Sequence, residues 1–562
     1  MDTKMKFVVQ YLIQHKQKLF LLLTILSGII TLYPFHNFQF FLAQGDHGRE
    51  LYCYRKVLEG ALPYRDFSWP FGPLLLYYYG LFHLIFGVCI QSVLLGQLFF
   101  ILMITILLYL ICSEFMSPYL SWACALWYLA FRGAEFFHSY HHVGGVALIL
   151  LTIYSLFRYI RTSRRSFVHI GFLSLFLLML VRLNMGFANL IAFMISLFVI
   201  DAAKKTPRPS QTRLSYIKIS FTAIIFVSII YWLLTYSLPL YVLKQIFPYS
   251  KAHLGVTDNF TLQDTITLFL RTILLNFQVN WQMKIFGTCL IVSSLQLIAL
   301  IAFKKLPKAL RNDIILIFPV LLIFLAFTLH EFLLSNTFFR IYWTFPVILI
   351  LIFHLMHYFM ETGGKTIFTS PIKFLVITTL LTPALFQIRD LKRYVNSFKT
   401  PDHLLHIGNN RVYTTQPPDW FQTVAETTHY VNLNADPNEK ILALPHTSLY
   451  YFLTNRDSAT RQLDFFLHND IPQEQELKTI SDMEMNHVNW VIFDNRTHSL
   501  EPGMGTFGIT HCPKIAEYLS KNFDEVAVFG DWNNPAGWAW NHGTRVLKRR
   551  QKTSPLSGSG AL

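Results

Sequence analysis

A short polar segment near the start of the chain carries closely spaced acidic and basic side chains. Residues 44–50 read QGDHGRE, and Arg65 and Asp66 follow near the end of the same segment. A carboxylate beside a hydroxyl can accept its proton in a transition state, which contributes about 10²–10⁴-fold to a rate. Arginine binds phosphate through two parallel hydrogen bonds. The segment therefore contains groups suited to general-base catalysis and to binding an anion.

The same residues also suit roles that involve no catalysis. Asp46 is placed to cap a following helix, which is the usual role of an aspartate at such a position. Asp66 is placed to form an ion pair with Arg65 or Arg49. Two further acids of the segment are interpreted as solvated helix positions: Glu50 and Glu59.

The composition of the chain indicates that these groups belong to a membrane protein. Of 562 residues, 53% are hydrophobic and 14% are charged, against about 45–50% and about 25% in soluble domains. This excludes a soluble cytosolic enzyme, a disordered chain and a disulfide scaffold. The apolar residues form blocks of about 16 to 23, which suits membrane-spanning helices. The net charge of +15 comes from cations in short loops between these blocks, so no nucleic-acid partner is predicted.

The positions of the cations predict the topology. Four clusters, at the N-terminus and at 158–165, 204–213 and 304–311, are placed in the cytoplasm by the positive-inside rule. The first span leaves the chain outside at residue 36, and cluster 158–165 lies inside, so an odd number of crossings must lie between them. Four apolar blocks lie there, so one of them does not cross the membrane. Block 72–88 is assigned to the interface because it is short and rich in tyrosine. The N-terminus is predicted inside and the C-terminus outside, with 11 spans, or up to 13 if a short block is misjudged. The 11 spans are 19–35, 91–113, 117–133, 143–160, 167–185, 187–202, 216–237, 283–303, 312–330, 338–358 and 371–387.

The chain divides into three parts by composition. Residues 1–389 form the membrane module, in which the first outer loop is 36–71. Residues 390–550 are predicted to form an α/β domain outside the cytoplasm, without a GxGxxG, GxSxG or P-loop motif, so no chemistry is assigned to it. Residues 551–562 read as a flexible tail. Within the domain, strands are predicted at 441–444 and 490–493, and helices at 448–453, 474–485 and 513–521.

The first outer loop resembles a known family. Residues 59–67 (EGALPYRDF) and 69–74 (WPFGPL) follow Asp46, and the order of these motifs resembles polyprenyl-phosphate-dependent glycosyltransferases of the GT-C superfamily. Protein O-mannosyltransferases and the aminoarabinose transferases of lipid A are members of that family. Residues 340–346 (RIYWTFP) resemble an Arg-x-Tyr…Pro stretch at the outer end of a late span in such enzymes. The resemblance implies a GT-C-like fold for the membrane module.

The resemblance also implies roles for individual residues. Asp46 becomes the general base of an inverting transfer, and Asp66 a second candidate catalytic acid. Arginines at the outer face would bind the donor phosphate. For Arg182 the alternative is a side chain that snorkels at a span end. The candidate donor-phosphate ligands are Arg49, Arg65, Arg182, Arg340 and Tyr342.

A histidine-rich stretch forms a second candidate site. Residues 132–142 read RGAEFFHSYHH, with His138, His141 and His142 near one predicted outer edge. Imidazoles suit Zn²⁺, but only Glu135 is a nearby carboxylate and no cysteine accompanies them. The stretch is therefore interpreted as a polar surface for the acceptor. No metal and no cofactor are predicted, and a divalent ion remains the alternative.

The predicted function is a membrane glycosyltransferase. It moves a monosaccharide from a polyprenyl phosphate to a glycan, lipid or protein outside the cytoplasm, and membrane lipids surround it. The family resemblance places it in a bacterial inner membrane. One alternative is a lipid-linked-sugar flippase or other transporter, which should carry charges inside its helix bundle. Another is an O-antigen polymerase or ligase, a class that relies on a late outer loop rather than on an acidic first loop.

Overall fold

The computed structural model describes most of the chain. The described residues are 16–39, 41–131, 140–203, 209–238, 308–329, 343–362, 395–466, 471–495, 505–533 and 543–551.

Five described helices are long and apolar enough to cross a membrane: Lys16–Phe35, Ile90–Ser113, Tyr140–Thr162, Leu183–Ala203 and Arg213–Thr235. Each has 20 residues or more, and at about 1.5 Å per residue this spans the roughly 30 Å of a hydrocarbon core. The prediction of a polytopic α-helical membrane protein is confirmed.

The helices of this part are numbered in chain order. A helix lies at each predicted span that falls within the described residues, while spans 283–303 and 371–387 and nearly all of outer loop 238–282 lie outside them. The helices are α1 Lys16–Leu32, α2 Asp46–Leu58, α3 Leu74–Phe86, α4 Ile90–Ser113, α5 Pro118–Phe131, α6 Tyr140–Thr162, α7 Arg165–Val181, α8 Leu183–Ala203, α9 Pro209–Thr235, α10 Lys308–Thr328 and α11 Phe345–Thr362.

Helix α3 has the features predicted for an interfacial segment. It contains 13 residues, which is roughly 20 Å and too short to cross a bilayer. Leu81, Leu84 and Ile85 are exposed on one side, whereas Tyr79 and His83 are buried. A short helix with one apolar exposed face suits the membrane surface.

The C-terminal segment, residues 395–551, alternates helices and strands as predicted. Its four-stranded sheet has the order β3-β4-β6-β5. Strand β3 pairs in parallel with β4, and the other two pairings are antiparallel; β1 and β2 form a separate hairpin. The elements are β1 Leu404–Ile407, β2 Asn410–Tyr413, α12 Pro418–Asn434, β3 Leu442–Leu444, α13 Leu449–Leu453, α14 Gln473–Met485, β4 Trp490–Asp494, α15 Pro513–Asn522, β5 Phe523–Gly530 and β6 Gly543–Arg549.

The first outer loop and the C-terminal segment are joined by backbone hydrogen bonds. The Leu449 N–H donates to the Gln44 carbonyl at 2.9 Å, and the Ser68 N–H donates to the Arg461 carbonyl at 2.7 Å. A Cβ at Gly48 would lie 2.1 Å from the Leu449 nitrogen, so only glycine permits this approach of α2 to α13. Helix α2 is therefore held between the membrane helices and the C-terminal segment.

Candidate active site between the first outer loop and the C-terminal segment

Asp46 lies at the start of α2 but is not its capping residue. The N-cap is Gly45, and Asp46 is the first helical residue. Its Oδ1 lies 3.1 Å from Arg49 Nη2 and 3.4 Å from His446 Nε2. The side chain is 35% exposed, and the positive end of the α2 dipole favours its negative charge. The carboxylate is held by Arg49 and His446 and still reaches solvent.

Arg49 links the first outer loop to the C-terminal segment. Its guanidinium pairs with Asp46 through Nη2 and with Asp464 through Nη1. Burial opposes the charge of Arg49, but the charges of Asp464 and Asp46 outweigh burial and raise the pKa of the guanidinium. Arg49 therefore stays charged and holds Asp46 in place.

His446 and Asp464 complete this cluster. His446 Nε2 lies 3.5 Å from Asp464 Oδ1, and its ring packs edge-on against Phe466 at 4.2 Å. A Cβ at Gly45 would lie 2.0 Å from the His446 ring, so the helix start and the imidazole approach as closely as a glycine permits.

Sequence reasoning missed both residues of the C-terminal segment because no local motif marks them. One positional signal was present. His446 lies two residues after the end of β3, which is parallel to β4, and polar residues at the carboxyl ends of parallel strands often form sites.

Glu50 was interpreted as a solvated helix position, and this interpretation is wrong. Its side chain is 2% exposed, and its Oε1 lies 2.9 Å from His141 Nδ1. The Tyr54 hydroxyl donates to Oε2 at 3.4 Å. Burial raises the pKa of Glu50 to about 8. The amphipathic pattern of α2 does not reveal this contact, because the partner lies at the start of α6.

Arg182, at the end of α7, meets the two histidines at the start of α6. Its Nη1 lies 3.4 Å from His141 Nε2 and within hydrogen-bond distance of His142 Nε2. The His142 ring stacks on Trp343 with the centroids 3.4 Å apart. The Arg182 guanidinium lies 5.7 Å from the centre of the same indole. The structure thus brings together the predicted residues Arg182, His141 and His142.

Phe71 joins the two clusters. Its ring centre lies 5.7 Å from the Arg49 guanidinium and 5.6 Å from the Arg182 guanidinium, which is the range of cation–π contacts. The His141 ring stacks on Phe71 with the centroids 3.5 Å apart. A Cβ at Gly72 would lie 2.0 Å from the Leu180 carbonyl oxygen. This close approach fixes the loop against the end of α7 and places Phe71 beside Arg182.

Arg65 and Asp66 form a separate pair. Arg65 Nε and Nη2 donate to the two Asp66 oxygens at 2.8 and 2.9 Å. The Leu62 N–H also donates to Asp66 at 2.7 Å. The hydrogen bond from Arg65 lowers the pKa of Asp66. Both residues are exposed, and no hydrogen bond or ion pair of the described residues joins them to Asp46.

Four residues considered in the sequence lie outside the described residues: Glu135, His138, Arg340 and Tyr342. Within the described ranges, no group of three or more His, Cys, Asp or Glu side chains could hold a metal ion.

No protein-family model matches the chain, and no curated protein matches it.

Solved structures are similar at low identity. The oligosaccharyltransferase of Archaeoglobus fulgidus in the apo form has 11% identity and a TM-score of 0.48 over 97% of this chain and 76% of that chain. ArnT from Cupriavidus metallidurans bound to undecaprenyl phosphate has 9% identity and a TM-score of 0.45 over 95% of this chain and 98% of that chain. The arabinofuranosyltransferase AftD from Mycobacteria has 11% identity and a TM-score of 0.48 over 96% of this chain and 40% of that chain. These neighbours are GT-C glycosyltransferases.

Proposed function

We propose that the protein is an integral membrane glycosyltransferase that moves a monosaccharide from a polyprenyl phosphate to an acceptor hydroxyl outside the cytoplasm. The observation that carries this proposal is the assembly around Phe71. A half-exposed carboxylate, Asp46, lies in one cluster, and a guanidinium flanked by two imidazoles, Arg182, lies in the other. These are the groups that a base-assisted displacement of a phosphate requires.

Asp46 acts as the general base. As the acceptor oxygen attacks the anomeric carbon, the hydroxyl proton passes to the Asp46 carboxylate. The bond between that carbon and the phosphate oxygen breaks, and its electron pair stays on the phosphate. Attack opposite to the leaving group inverts the anomeric centre through an oxocarbenium-like state.

Arg182 is the proposed contact for the departing phosphate. It lies at the end of α7 beside His142, and its planar guanidinium suits two phosphate oxygens. Arg49 is already engaged by two carboxylates, so we assign it the positioning of Asp46 rather than phosphate binding.

Arg65 and Asp66 are assigned a structural role, because each satisfies the other at the surface. Arg340 and Tyr342 remain candidate phosphate ligands on the sequence resemblance, and His138 a candidate acceptor contact.

The proposed orientation has the N-terminus in the cytoplasm of a bacterial cell and the C-terminal domain, residues 390–550, outside the inner membrane. The acceptor is a lipid, a polysaccharide or a protein of the cell envelope. This orientation places Asp46, Arg182 and His446 at one side of the membrane, where the lipid-linked donor and the acceptor meet.

The test compares Asp46→Asn with Asp402→Asn, a matched change at an exposed aspartate. Cells that produce each variant are analysed by mass spectrometry of envelope glycolipids and polysaccharides. We expect one sugar modification in the wild type and in Asp402→Asn, and a loss of about 10²–10⁴-fold in Asp46→Asn. Equal modification in the two variants would remove Asp46 from the base role. No difference between cells with and without the protein would contradict the transferase itself.

A further inference from the structure

We propose that Glu50 and His141 form a buried proton relay that protonates the departing lipid phosphate. This inference rests on the proposed function, because it uses Arg182 as the phosphate contact. It assigns a role to a buried acid that the transfer by Asp46 does not use.

The geometry places one imidazole between an acid and an anion-binding cation. His141 Nδ1 faces Glu50 Oε1 at 2.9 Å, and the opposite nitrogen, Nε2, faces Arg182 Nη1 at 3.4 Å. Stacking on Phe71, with the centroids 3.5 Å apart, fixes the plane of the ring. An anion bound by Arg182 would therefore lie within reach of His141 Nε2.

The environment of Glu50 keeps a proton on the pair at neutral pH. Burial is the largest cause that raises the pKa of Glu50, to about 8, and the nearby charge of Arg49 opposes it. Below that pH, Glu50 is mostly protonated and can donate to His141 Nδ1. An anion that accepts the Arg182 N–H in place of His141 Nε2 then lets the imidazole carry its own proton on Nε2. The titratable or charged groups that face Glu50 are Arg49, Asp46, Cys53 and Tyr54 on α2, Tyr79 on α3, and Tyr140 and His141 on α6.

The proposed step balances protons. When the bond from sugar to phosphate breaks, the phosphate gains one negative charge. The proton on His141 Nε2 passes to a phosphate oxygen, and the Glu50 proton passes to Nδ1. The products are a singly charged phosphate, a neutral imidazole and a Glu50 carboxylate. After the lipid phosphate leaves, one proton from solvent returns to the pair of Glu50 and His141.

Protonation helps the lipid phosphate to depart. A phosphate monoester has a second pKa of about 6, so without a proton it leaves the reaction doubly charged. A doubly charged phosphate is held more strongly by Arg182 than a singly charged one. Asp46 receives the acceptor proton at a partly exposed position, whereas Glu50 is buried. The two acids therefore serve two different proton transfers.

The test follows the ³¹P resonance of a short-chain polyprenyl phosphate bound to the full-length protein, as a function of pH. The resonance reports whether the phosphate is singly or doubly charged. In the wild type we expect the bound phosphate to keep its proton to a pH about one unit higher than in Glu50→Gln, a tenfold difference in proton affinity. The matched control is Glu59→Gln, at the exposed residue that caps the C-terminus of the same helix, which should titrate as the wild type does.

A second variant separates the relay from a structural role. His141→Asn retains an amide that can pair with Glu50 but lacks Nε2, so its bound phosphate should titrate as in Glu50→Gln. Bound phosphate with the same titration in the wild type and both variants would overturn the relay and leave the transferase standing. An absence of any bound resonance in the wild type would contradict both the relay and the proposed phosphate site.

Discussion

At the scale of single residues, the charged partners of Arg49 decide how firmly it holds Asp46. Arg49 is buried and pairs with two carboxylates, Asp46 and Asp464. A buried cation with two partners costs less to hold than one with a single partner, because its desolvation is better repaid. Asp464 therefore contributes to the position of Asp46 through Arg49.

This predicts a distinctive outcome for Asp464→Asn. The change leaves Arg49 buried beside one carboxylate, and removal of one partner of a buried pair costs about 3 kcal/mol of unfolding free energy. Because Arg49 then shifts, we also expect kcat to fall about tenfold or more. Thermal unfolding and kcat measure the two effects. The matched control is Asp524→Asn in an exposed pair with Arg550, which should cost about 0–1 kcal/mol. An unchanged kcat in Asp464→Asn would contradict the positioning role.

The sequence reveals site residues only where they are close together along the chain. Asp46 and the residues up to Gly72 form one contiguous motif, and the structure brings Asp46 and Arg49 of that motif together. Asp464 lies 415 residues from Arg49, and no periodicity or spacing relates two positions so far apart. Glu50 was misread for the same reason, since its burial depends on contacts with α6.

At the scale of elements, α2 is one of the parts that connect the membrane helices to the C-terminal segment. Arg55, near the end of α2, is buried and donates to Asn455 at 2.7 Å and to Asp457 at 3.0 Å. It also donates to the Arg456 carbonyl at 3.1 Å. One side chain therefore satisfies acceptors on the loop that follows α13.

Arg55→Met should loosen this connection. The methionine retains much of the apolar stem but leaves the Arg456 carbonyl, the acceptor of a buried hydrogen bond, without this donor, at about 1–3 kcal/mol for an unsatisfied group. We expect faster cleavage of the C-terminal segment in limited proteolysis and a lower midpoint of thermal unfolding. Arg65→Met is the matched control, because Arg65 is exposed and its ion pair is with its chain neighbour Asp66. Equal cleavage rates in the two variants would show that Arg55 does not hold the segment.

Elements of the C-terminal segment could be predicted because they are short apolar runs between turn residues. The predicted strands 441–444 and 490–493 correspond to β3 and β4, and the predicted helices correspond to α13, α14 and α15. The hairpin of β1 and β2 was not predicted. Its residues are half polar, and part of its pairing comes from the first outer loop, where the Tyr413 N–H donates to the Asn37 carbonyl at 2.8 Å.

At the scale of the whole molecule, the candidate site lies where three parts of the chain meet. The first outer loop supplies Asp46 and Phe71, the ends of α6 and α7 supply His141 and Arg182, and the C-terminal segment supplies His446. The site therefore lies at one end of the helix bundle. The side of the membrane that this end faces decides whether a lipid-linked donor can be used outside the cytoplasm.

Two exposed positions test this sidedness. Ile509 is 79% exposed in the C-terminal segment, and Arg164 is exposed between α6 and α7. The cation rule places Arg164 in the cytoplasm, and the end of α7 that carries Arg182 on the other side. Ile509→Cys should therefore react with a membrane-impermeant maleimide in intact cells, whereas Arg164→Cys should react only after the membrane is permeabilised.

The unsubstituted protein gives the background from its own cysteines, and each variant serves as the control for the other. If Ile509→Cys reacts only after permeabilisation, the C-terminal segment lies in the cytoplasm together with Asp46, because hydrogen bonds join the segment to the first outer loop. A transfer outside the cytoplasm would then be impossible at this site. Reaction of both variants in intact cells would mean that the loop between α6 and α7 also faces outward, which would contradict the odd number of crossings predicted between residue 36 and this loop.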